Sequence, residues 1–242
     1  MRIAIISDIH SNLEALQKAI ELIKELNIDT VVCLGDIVGY GANPKECIKT
    51  VSELTPYILM GNHDQAAADL SYTEKFTPYA QAAAIWTYNI MSESEKDKLL
   101  SLPLYLNIDG LTFVHASPHK PSEWNYIATE EEAFDNFKHM KTNICFIGHS
   151  HIAEIYTDDY DSFNIPKFSE PIKLLRGNKY IINSGSVGQP RDLDWRLSFG
   201  VLNTETLEFE FVRSEYDAKT ASRKILDANL PRYLAERILI GR

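Results

Sequence analysis

Cysteine is scarce in this chain of 242 residues, and the few that occur form no recognisable pattern. Cys33, Cys47 and Cys145 make an odd count, and no two of them stand in a C-x-x-C arrangement. Such a set gives no sign of a disulfide framework. Because Cys33 and Cys145 lie inside apolar runs, the sequence favours small buried hydrophobic residues in a reducing compartment over disulfide or catalytic roles.

Long apolar runs are also missing. No stretch approaches the ~18 to 20 apolar residues that a membrane-spanning helix needs. The first apolar stretch, at 3–6, is interrupted by Asp8 after a few residues, which is too early for a secretory signal peptide. The sequence therefore predicts a cytoplasmic protein with no membrane partner.

An excess of positive charge is the third absence. The chain has 34 acidic and 24 basic residues, and its formal net charge is −10. Long nucleic acids and anionic membranes bind basic surfaces, so neither is expected as a partner. The acidic balance still allows a small anionic substrate, because two bound divalent ions would reverse the sign of the field inside one cleft.

The first half of the chain alternates predicted strands and helices. Apolar runs at 3–6, 31–34 and 57–60 predict buried strands. A capping-box pattern at Ser11 and Glu14 predicts one helix, and Pro44 marks the start of a second. This β-α-β-α-β order favours a parallel sheet with right-handed crossovers.

Residues 65–101 are predicted to be helical, with helix starts at Pro78 and Ser92. The segment 79–88 mixes alanines with aromatic residues, which favours core packing. A cap over a functional site, or a surface that contacts a partner, is the alternative. The region 65–101 is therefore predicted to be a helical insertion.

The second half of the chain changes character and becomes rich in strands. Asp109-Gly110 predicts a tight hairpin, and Thr129 starts a helix with Phe134 and Phe137 on its apolar side. Further short strands are predicted at 144–147, 152–157, 172–175, 180–182, 197–202 and 207–212. This pattern fits an α/β protein (α+β in some schemes) with two sheets packed face to face better than one doubly wound sheet. With no repeat or linker, we predict a single domain, 1–242, that ends in a helical segment at about 214–242.

Six of the apolar runs stop at polar residues, and most of these residues can bind a metal ion. Ligands in open α/β sheets bind outside the carboxyl ends of the strands, so we expect these residues to converge. Five of the seven histidines fall in the six groups. The groups are Asp8-Ile9-His10, Gly35-Asp36, Gly61-Asn62-His63-Asp64, His115, Gly148-His149-Ser150-His151 and Asn183-Ser184-Gly185-Ser186.

Carboxylates and neutral imidazoles together suit borderline divalent metals such as Mn, Fe, Zn or Ni. A single D-x-H or G-D group is a weak signal, because capping and turn formation explain most of its occurrences. The groups at 61–64 and 148–151 are more specific, since each places neighbouring ligands after a strand. All the groups in this order are hard to explain by chance.

Together, the D-x-H, G-D, G-N-H-D, H and G-H-x-H groups resemble those of the calcineurin-like metallophosphoesterase superfamily. They span residues 8 to 151. Residues 36–41 and 183–191 further resemble a bacterial and archaeal branch with small phosphodiesterase-like and diadenosine tetraphosphatase-like proteins. The resemblance implies a four-layer αββα sandwich of two mixed sheets flanked by helices.

The resemblance also implies a dinuclear metal centre in which Asp36 bridges the two ions. The first ion would be held by Asp8, His10, Asp36 and His151. The second would be held by Asp36, Asn62, His115 and His149. Two divalent ions ~3.5 to 4 Å apart can activate a bridging hydroxide that attacks phosphorus. Manganese is the expected metal, with Fe, Zn, Ni or Co as alternatives.

His63 is not needed as a metal ligand if Asn62 already binds. We expect it to protonate the leaving alkoxide, a contribution of ~10² to 10⁴ in rate. A structural histidine bonded to nearby backbone is the alternative. Asp64 is expected to cap the following helix, and the alternative is that it orients His63. Asp36 and His63 are thus the predicted catalytic residues, and the predicted substrate contacts are Asn62, His63 and Arg191.

Arg191 follows Gly188-Gln189-Pro190 in a predicted loop, where it could bind phosphate bidentately. An ion pair with Asp192 or Asp194 is the equally weighted alternative. Tyr40 would line the pocket, stack on a base or simply pack.

One departure from the superfamily limits the prediction. The protein serine/threonine phosphatases carry an Asp-Arg pair where this chain has Gly39-Tyr40. That arginine binds phosphate in those enzymes. In this chain phosphate would be bound by Arg191 or by no arginine at all. Phosphoprotein substrates are therefore not expected.

The sequence as a whole predicts a dinuclear metal-dependent phosphoesterase that hydrolyses a small phosphodiester or nucleotide. The alternatives are a phosphomonoesterase or a diadenosine tetraphosphatase-like pyrophosphohydrolase and, outside enzymes, a metal-stabilised interaction scaffold that uses the 65–101 helices. A substrate pocket between 65–101 and 157–178 is expected. A homo-oligomer is compatible with the sequence.

Overall fold

The computed structural model describes residues 1–159 and 170–242, and its strands form two mixed five-stranded sheets. The first sheet has the order β2-β1-β9-β10-β7, and the second has the order β3-β4-β5-β8-β6. In chain order the strands are β1 Arg2–Ile6, β2 Thr30–Cys33, β3 Tyr105–Ile108, β4 Leu111–Val114, β5 Ile144–Ile147, β6 Ala153–Thr157, β7 Ile172–Lys173, β8 Tyr180–Ser184, β9 Leu197–Asn203 and β10 Glu208–Ser214.

Helices connect and flank these strands. They are α1 Leu13–Glu25, α2 Pro44–Leu54, α3 Asn62–Ala68, α4 Pro78–Ile90, α5 Glu93–Leu100, α6 Glu130–Phe137, α7 Ala218–Asp227 and α8 Arg232–Arg237. In the described ranges, none of the helices has both the length and the apolar character needed to cross a membrane. The predicted sandwich of two mixed sheets with helices is confirmed.

Strand β1 shows why the sandwich forms. Ile3 and Ile5 belong to the core between the two sheets, whereas Ala4 and Ile6 belong to the core under the helices. Successive side chains of a strand point to opposite faces, so a continuous apolar run is buried on both. Phe113 of β4 completes the inter-sheet core by stacking on Phe146 of β5 at 5.3 Å.

The first sheet is not the parallel sheet expected from the β-α-β-α-β order. β1 pairs in parallel with β2, but its other neighbour is the antiparallel β9 from the far end of the chain. The run at 57–60 forms no strand and contributes only an isolated bridge between Cys33 and Ile58. Beyond this bridge the main chain bonds to a different segment, because the N–H of Met60 donates to the oxygen of Pro103.

The helix starts agree with the sequence in most cases. Ser92 and Thr129 cap α5 and α6 through capping boxes, as their sequences predict. The cap of α1 is Asn12 rather than Ser11, because Asn12 accepts the Ala15 N–H and Ser11 adopts a positive φ.

Of the two residues predicted for the buried face of α6, only one is buried. Phe137 is buried, but Phe134 is 52% exposed, and Ala133 takes the inner position instead. The alanine-rich α4 packs one face on the core, as expected for 79–88, and leaves Tyr79 exposed on the other.

Candidate metal centre

The carboxyl ends of strands from both sheets deliver polar side chains to one buried place. Asp8 and His10 follow β1, and Asp36 follows β2. His115 follows β4, while β5 is followed by His149 and His151. Asn62 is the first residue of α3. All seven predicted ligands are buried, so the expected convergence occurs.

The converging side chains form two groups that share one carboxylate. Asp8, His10, Asp36 and His151 have donor atoms within 4.8 Å of one another, and so do Asp36, His115 and His149. Asp36 is the member common to both groups. The membership of these two groups is the one that the resemblance implies for the two metal ions, apart from Asn62.

Asn62 lies beside the second group. Its Oδ1 is buried without a hydrogen-bond partner among the described residues, and it lines the same cavity as His149. The next residue in α3, His63, donates its backbone N–H to Oδ1 of Asp36 at 2.8 Å. The start of α3 is therefore tied to the shared carboxylate.

Main-chain carbonyl groups fix the orientation of three imidazoles through Nδ1. A carbonyl oxygen can only accept, so Nδ1 must carry the proton and Nε2 of a neutral ring must be an acceptor. The acceptors are the oxygens of Val38 for His10 (3.0 Å), Leu34 for His115 (3.0 Å) and Gln189 for His151 (2.7 Å). In His149 the order is reversed, since Nε2 contacts the oxygen of Trp124 at 3.0 Å.

Several of the inward-facing acceptor atoms lack a hydrogen-bond donor. Nε2 of His10 lies 3.1 Å from Nε2 of His151, and burial lowers the pKa of both rings well below its usual value. Oδ2 of Asp36 and Nε2 of His115 lack a hydrogen-bond partner in the described chain. Buried acceptors in contact are unfavourable unless a cation lies among them. The residues therefore fit divalent metal ions, and their mixed N and O donors suit borderline metals.

The backbone at the ligands is strained. φ is positive at Asp8, His10, Asp36, His149 and His151, with values from 49° to 68°. Non-glycine residues in this region cost of order 1 kcal/mol or more each and persist where surrounding structure imposes them. Such strain is typical of functional sites. The unusual backbone conformation lets several side chains point toward the same place.

Two glycines allow the close approach of the chain to the carboxylates. A Cβ on Gly61 would lie 2.0 Å from Oδ1 of Asp36, and one on Gly148 would lie 2.5 Å from Oδ2 of Asp8. These distances are far below van der Waals contact. The glycines in the G-N-H-D and G-H-x-H groups are therefore required by the packing around Asp36 and Asp8.

The titration of the centre also reflects crowded charge. Burial, with a further contribution from Asp36, raises the pKa of Asp8 to about 6. Burial opposes protonation of His115, but the carboxylates of Asp36 and Asp8 raise its pKa to about 9. In the absence of metal a proton on His115 thus compensates Asp36, whose own pKa is lowered by His115 against the effect of burial.

His63 lies against the centre without joining it. It is buried, and its ring lies 4.9 Å from His10, 4.4 Å from Tyr40 and 4.6 Å from Phe76 between centroids. Its Nδ1 has no hydrogen-bond partner in the described parts of the chain, so the structure does not support a histidine bonded to backbone. Burial, followed by Arg191, lowers the pKa of His63 to about 4.

Gly39 explains why Nδ1 of His63 is unpartnered. A Cβ on Gly39 would lie 2.8 Å from this nitrogen, and Gly39 has a φ of +96°. In this chain no side chain is present at that position to bond the imidazole. Asp64 does not replace it, because its carboxylate accepts the N–H groups of Val38 at 3.1 Å and Gly61 at 3.0 Å. Asp64 therefore stabilises the start of α3, as expected.

Arg191 contacts Tyr40, the residue whose ring lies against His63. Its guanidinium donates to the hydroxyl of Tyr40 at 3.3 Å and to Gln189. The predicted alternative, an ion pair with Asp192 or Asp194, is not formed among the described residues. Those two carboxylates bind other arginines of the same region, Arg213 and Arg196. Tyr40 itself is buried, so packing is its observed role.

A cavity of about 660 Å³ opens beside Asn62 and His149. Its aromatic lining was not singled out from the sequence and consists of Tyr72, Phe76, Trp124 and Tyr126. Tyr126 stacks on His149 with ring centroids 3.9 Å apart. Residues from the predicted helical insertion thus contribute to the lining. The described residues of the other predicted wall, 157–159 and 170–178, do not line this cavity, and 160–169 lie outside the described residues. Aromatic residues in an irregular loop carry no periodic signal that could have identified 124–126.

Comparisons with known proteins agree with this geometry. Residues 1–153 match the model of the family described as calcineurin-like phosphoesterase. An uncharacterized protein of Methanocaldococcus jannaschii is 39% identical over 244 residues, which cover 99% of this chain and 98% of the relative.

Two solved structures are similar over the whole chain. A metallophosphoesterase from Sphaerobacter thermophilus is 35% identical with a TM-score of 0.89, and the match covers 100% of both chains. A hypothetical protein from Pyrococcus horikoshii is 21% identical with a TM-score of 0.79, covers 100% of this chain and 98% of its own, and shows the shared fold. This chain therefore belongs to the calcineurin-like phosphoesterase family, the superfamily indicated by its sequence motifs.

Proposed function

We propose that this protein is a dinuclear metal-dependent phosphoesterase that hydrolyses a small phosphodiester or nucleotide. The observation that carries the proposal is the pair of buried ligand groups that share Asp36, in which Oδ2 of Asp36 and Nε2 of His115 have no hydrogen-bond partner among the described residues. The similar chain from Sphaerobacter thermophilus is described as a metallophosphoesterase, which supports this reaction class.

The residues present supply a ligand set for two ions. Asp8, His10, Asp36 and His151 would hold the first, and Asp36, Asn62, His115 and His149 would hold the second. Two divalent ions bound there would provide a water of lowered pKa and Lewis-acid polarisation of a phosphoryl group. The protein contributes fixed ligand orientation through carbonyl groups behind the imidazoles, which increases ligand basicity.

We expect His63 to act on the leaving group. It is buried at the edge of the centre, and its Nδ1 has no hydrogen-bond partner among the described residues. Nδ1 is therefore not committed to a structural hydrogen bond. The ring is neutral at pH 7 in the metal-free protein, given its pKa of about 4. A bound phosphoryl anion beside it would favour the imidazolium, which would then donate a proton to the departing oxygen.

The aromatic cavity supports an organic substrate rather than inorganic phosphate alone. Its volume of about 660 Å³ falls within the range of small-molecule sites. The exposed rings of Tyr72 and Tyr126 offer flat apolar surface next to His149, which suits the ring system of a nucleotide. Asn62 lines this cavity, and we expect it to contact the substrate as well as metal.

Metal analysis of the protein tests the centre directly. We expect about two metal atoms per chain after purification without chelator, with manganese as the expected native ion. Replacing the shared carboxylate, Asp36→Ala, should reduce binding at both sites. His151→Ala and His149→Ala should each remove one ion and leave the other. Equal loss in all three variants, with the fold intact, would contradict two separate groups joined at Asp36.

Hydrolysis tests the reaction. We expect Mn²⁺-dependent turnover of bis-p-nitrophenyl phosphate that exceeds turnover of p-nitrophenyl phosphate. The reverse order would favour a phosphomonoesterase, and cleavage of diadenosine tetraphosphate alone would favour a pyrophosphohydrolase. If protein with full metal content hydrolysed no phosphoester, and His63→Asn changed no measured property, the interaction scaffold would be the better explanation.

A further inference from the structure

A second arginine lies beside Arg191, and it comes from the other end of the chain. Arg237 is the last residue of α8, and its guanidinium carbon lies 5.7 Å from the centroid of the Tyr40 ring. The guanidinium carbon of Arg191 lies at the same distance from that centroid. Tyr40 in turn contacts His63 and His10, so both cations lie at the edge of the metal centre.

Neither guanidinium has a carboxylate side chain as partner within 1–159 and 170–242. The Nε of Arg191 has no hydrogen-bond partner there, and the Nε of Arg237 donates to the main-chain oxygen of Arg242. Other arginines nearby are paired with acids, for example Arg232 with Glu236 on the same helix. Burial, together with Arg191, lowers the pKa of Arg237, which reflects a cation close to a like charge.

The end of the chain is built to hold Arg237 in this position. The N–H of Leu193 donates to the oxygen of Gly241 at 2.9 Å, which docks the last residues on the loop that carries Arg191. Gly241 has a φ of +66°, and a Cβ there would lie 2.6 Å from the backbone of Asp194. Only glycine fits this close contact, so two like charges are brought together by a specific packing arrangement.

We infer that Arg191 and Arg237, both packed on Tyr40, form an anion site for a second phosphoryl group of the substrate. The inference rests on the proposed function, because the first phosphoryl group is the one held at Asp36. Guanidinium groups bind phosphate oxygens bidentately, and a phosphate between them would relieve their mutual repulsion. The substrate class is therefore a small molecule with two phosphoryl groups, such as a nucleoside diphosphate, rather than a monophosphate.

Equilibrium binding in a slow variant tests this inference. We would use Mn²⁺-bound His63→Asn protein and measure the affinities of adenosine mono- and diphosphate by calorimetry at fixed free Mn²⁺. The diphosphate should bind about 10-fold or more tightly than the monophosphate, as expected for added charge-assisted hydrogen bonds. Adding Arg237→Gln should remove most of this preference and leave monophosphate binding nearly unchanged.

Three further variants make the result specific. Arg237→Lys should retain part of the preference, because it keeps the charge but loses the bidentate geometry. Gly241→Val should reproduce Arg237→Gln by undocking the end of the chain. Arg232→Gln, on the exposed side of the same helix, should behave like the parent. Unchanged metal content and thermal unfolding would show that each variant is folded.

Equal weakening of both nucleotides in Arg237→Gln, or no weakening of either, would overturn the inference. That outcome differs from failure of the proposed function, which would appear as absence of phosphoester hydrolysis by the Mn²⁺-bound wild-type protein. If the protein hydrolysed phosphoesters but bound the mono- and diphosphate equally well, the proposed function would stand and the anion site would be excluded.

Discussion

At the scale of single residues, the centre depends on imidazoles whose Nδ1 protons are fixed by hydrogen bonds to main-chain carbonyl groups. The carbonyl groups of Val38 and Gln189 hold Nδ1 of His10 and His151, and this leaves two acceptor nitrogens 3.1 Å apart. No proton is available between them, because burial keeps both rings neutral. The arrangement is unfavourable without a cation, so its cost in the metal-free protein is the counterpart of its affinity for metal.

His63→Asn tests the role of the one buried histidine that binds no metal in our proposal. We expect kcat to fall by ~10² to 10⁴ with Mn²⁺ content unchanged, because asparagine cannot donate a proton to the leaving oxygen. An acid loses its proton as pH rises, so the basic limb of the wild-type kcat profile should disappear in the variant.

His119→Asn is the matched control for this variant. His119 stacks on His139 with centroids 3.8 Å apart, away from the centre, and its replacement should leave kcat unchanged. A kcat for His63→Asn within a factor of two of wild type would rule out proton donation by His63.

The convergence of the candidate ligands could be predicted residue by residue, whereas the positions of the surrounding groups could not. Asp8, Asp36 and the histidines of the motifs follow apolar runs, so strand ends alone indicate where they meet. Arg237 and Trp124 carry no such signal, because one ends a short helix near the end of the chain and the other lies in an irregular loop. Their positions depend on how distant segments pack, which a pattern along one stretch does not contain.

At the scale of elements, short junctions matter more than the regular helices and strands. The run at 57–60 has the composition of a strand, but after the bridge at Ile58 the chain turns away to start α3 at Asn62. The sequence pattern could not show this, since apolar residues suit both a strand and a buried extended link. The hairpin at Asp109-Gly110 was predictable because its two-residue turn is determined locally, and both residues have positive φ.

Gly61→Ala tests the junction between the 57–60 run and α3. The added Cβ would meet Oδ1 and the backbone nitrogen of Asp36 at 2.0 and 2.3 Å, so α3 or the 35–37 loop must shift. We expect a loss of about 1–3 kcal/mol in the free energy of unfolding of the metal-free protein, typical of overpacking. Metal affinity should fall as well, because Asp36 belongs to both donor groups.

Gly110→Asn provides the control for this variant. Nothing lies within 4 Å of a Cβ at Gly110, and asparagine tolerates its left-handed backbone. Denaturant unfolding and metal titration of the two variants should therefore differ clearly. Wild-type metal affinity and stability in Gly61→Ala would show that the close approach to Asp36 is not required.

At the scale of the whole molecule, the protein is acidic, but positively charged groups lie beside the candidate metal centre. The formal net charge is −10, yet two guanidinium groups and the candidate metal ligands gather at one edge of the sandwich. The overall charge therefore does not describe the field that a substrate meets. The composition is compatible with a small anionic substrate, but only the packing of both chain ends around residues 36–40 reveals where the two guanidinium groups lie.

Stability and metal affinity should depend on pH in opposite directions between pH 7 and 8.5. The pKa of His115 is about 9 in the metal-free fold against 6.5 in the unfolded chain, so its stabilising protonation is complete below 6.5 and lost as pH rises through about 9. This slope of one proton removes about 2 kcal/mol from the metal-free protein over that interval. Asp8 and His63, with pKa values of about 6 and 4, have largely finished titrating below this range, whereas Asp64, with a pKa of about 7, loses its proton in the lower part of it and adds to the loss of stability there.

A metal ion must displace the proton on His115, so Mn²⁺ affinity should rise by about 10-fold per pH unit in the same window. Thermal unfolding should therefore show a growing difference in Tm between Mn²⁺-bound and chelator-treated protein from pH 7 to 8.5. Calorimetric titration at pH 7.5 in two buffers of different ionisation enthalpy should detect release of about one proton per chain. In metal-free His115→Gln the pH dependence of stability should flatten. An unchanged slope in that variant would mean that His115 is already neutral, and that another group compensates the charge of Asp36.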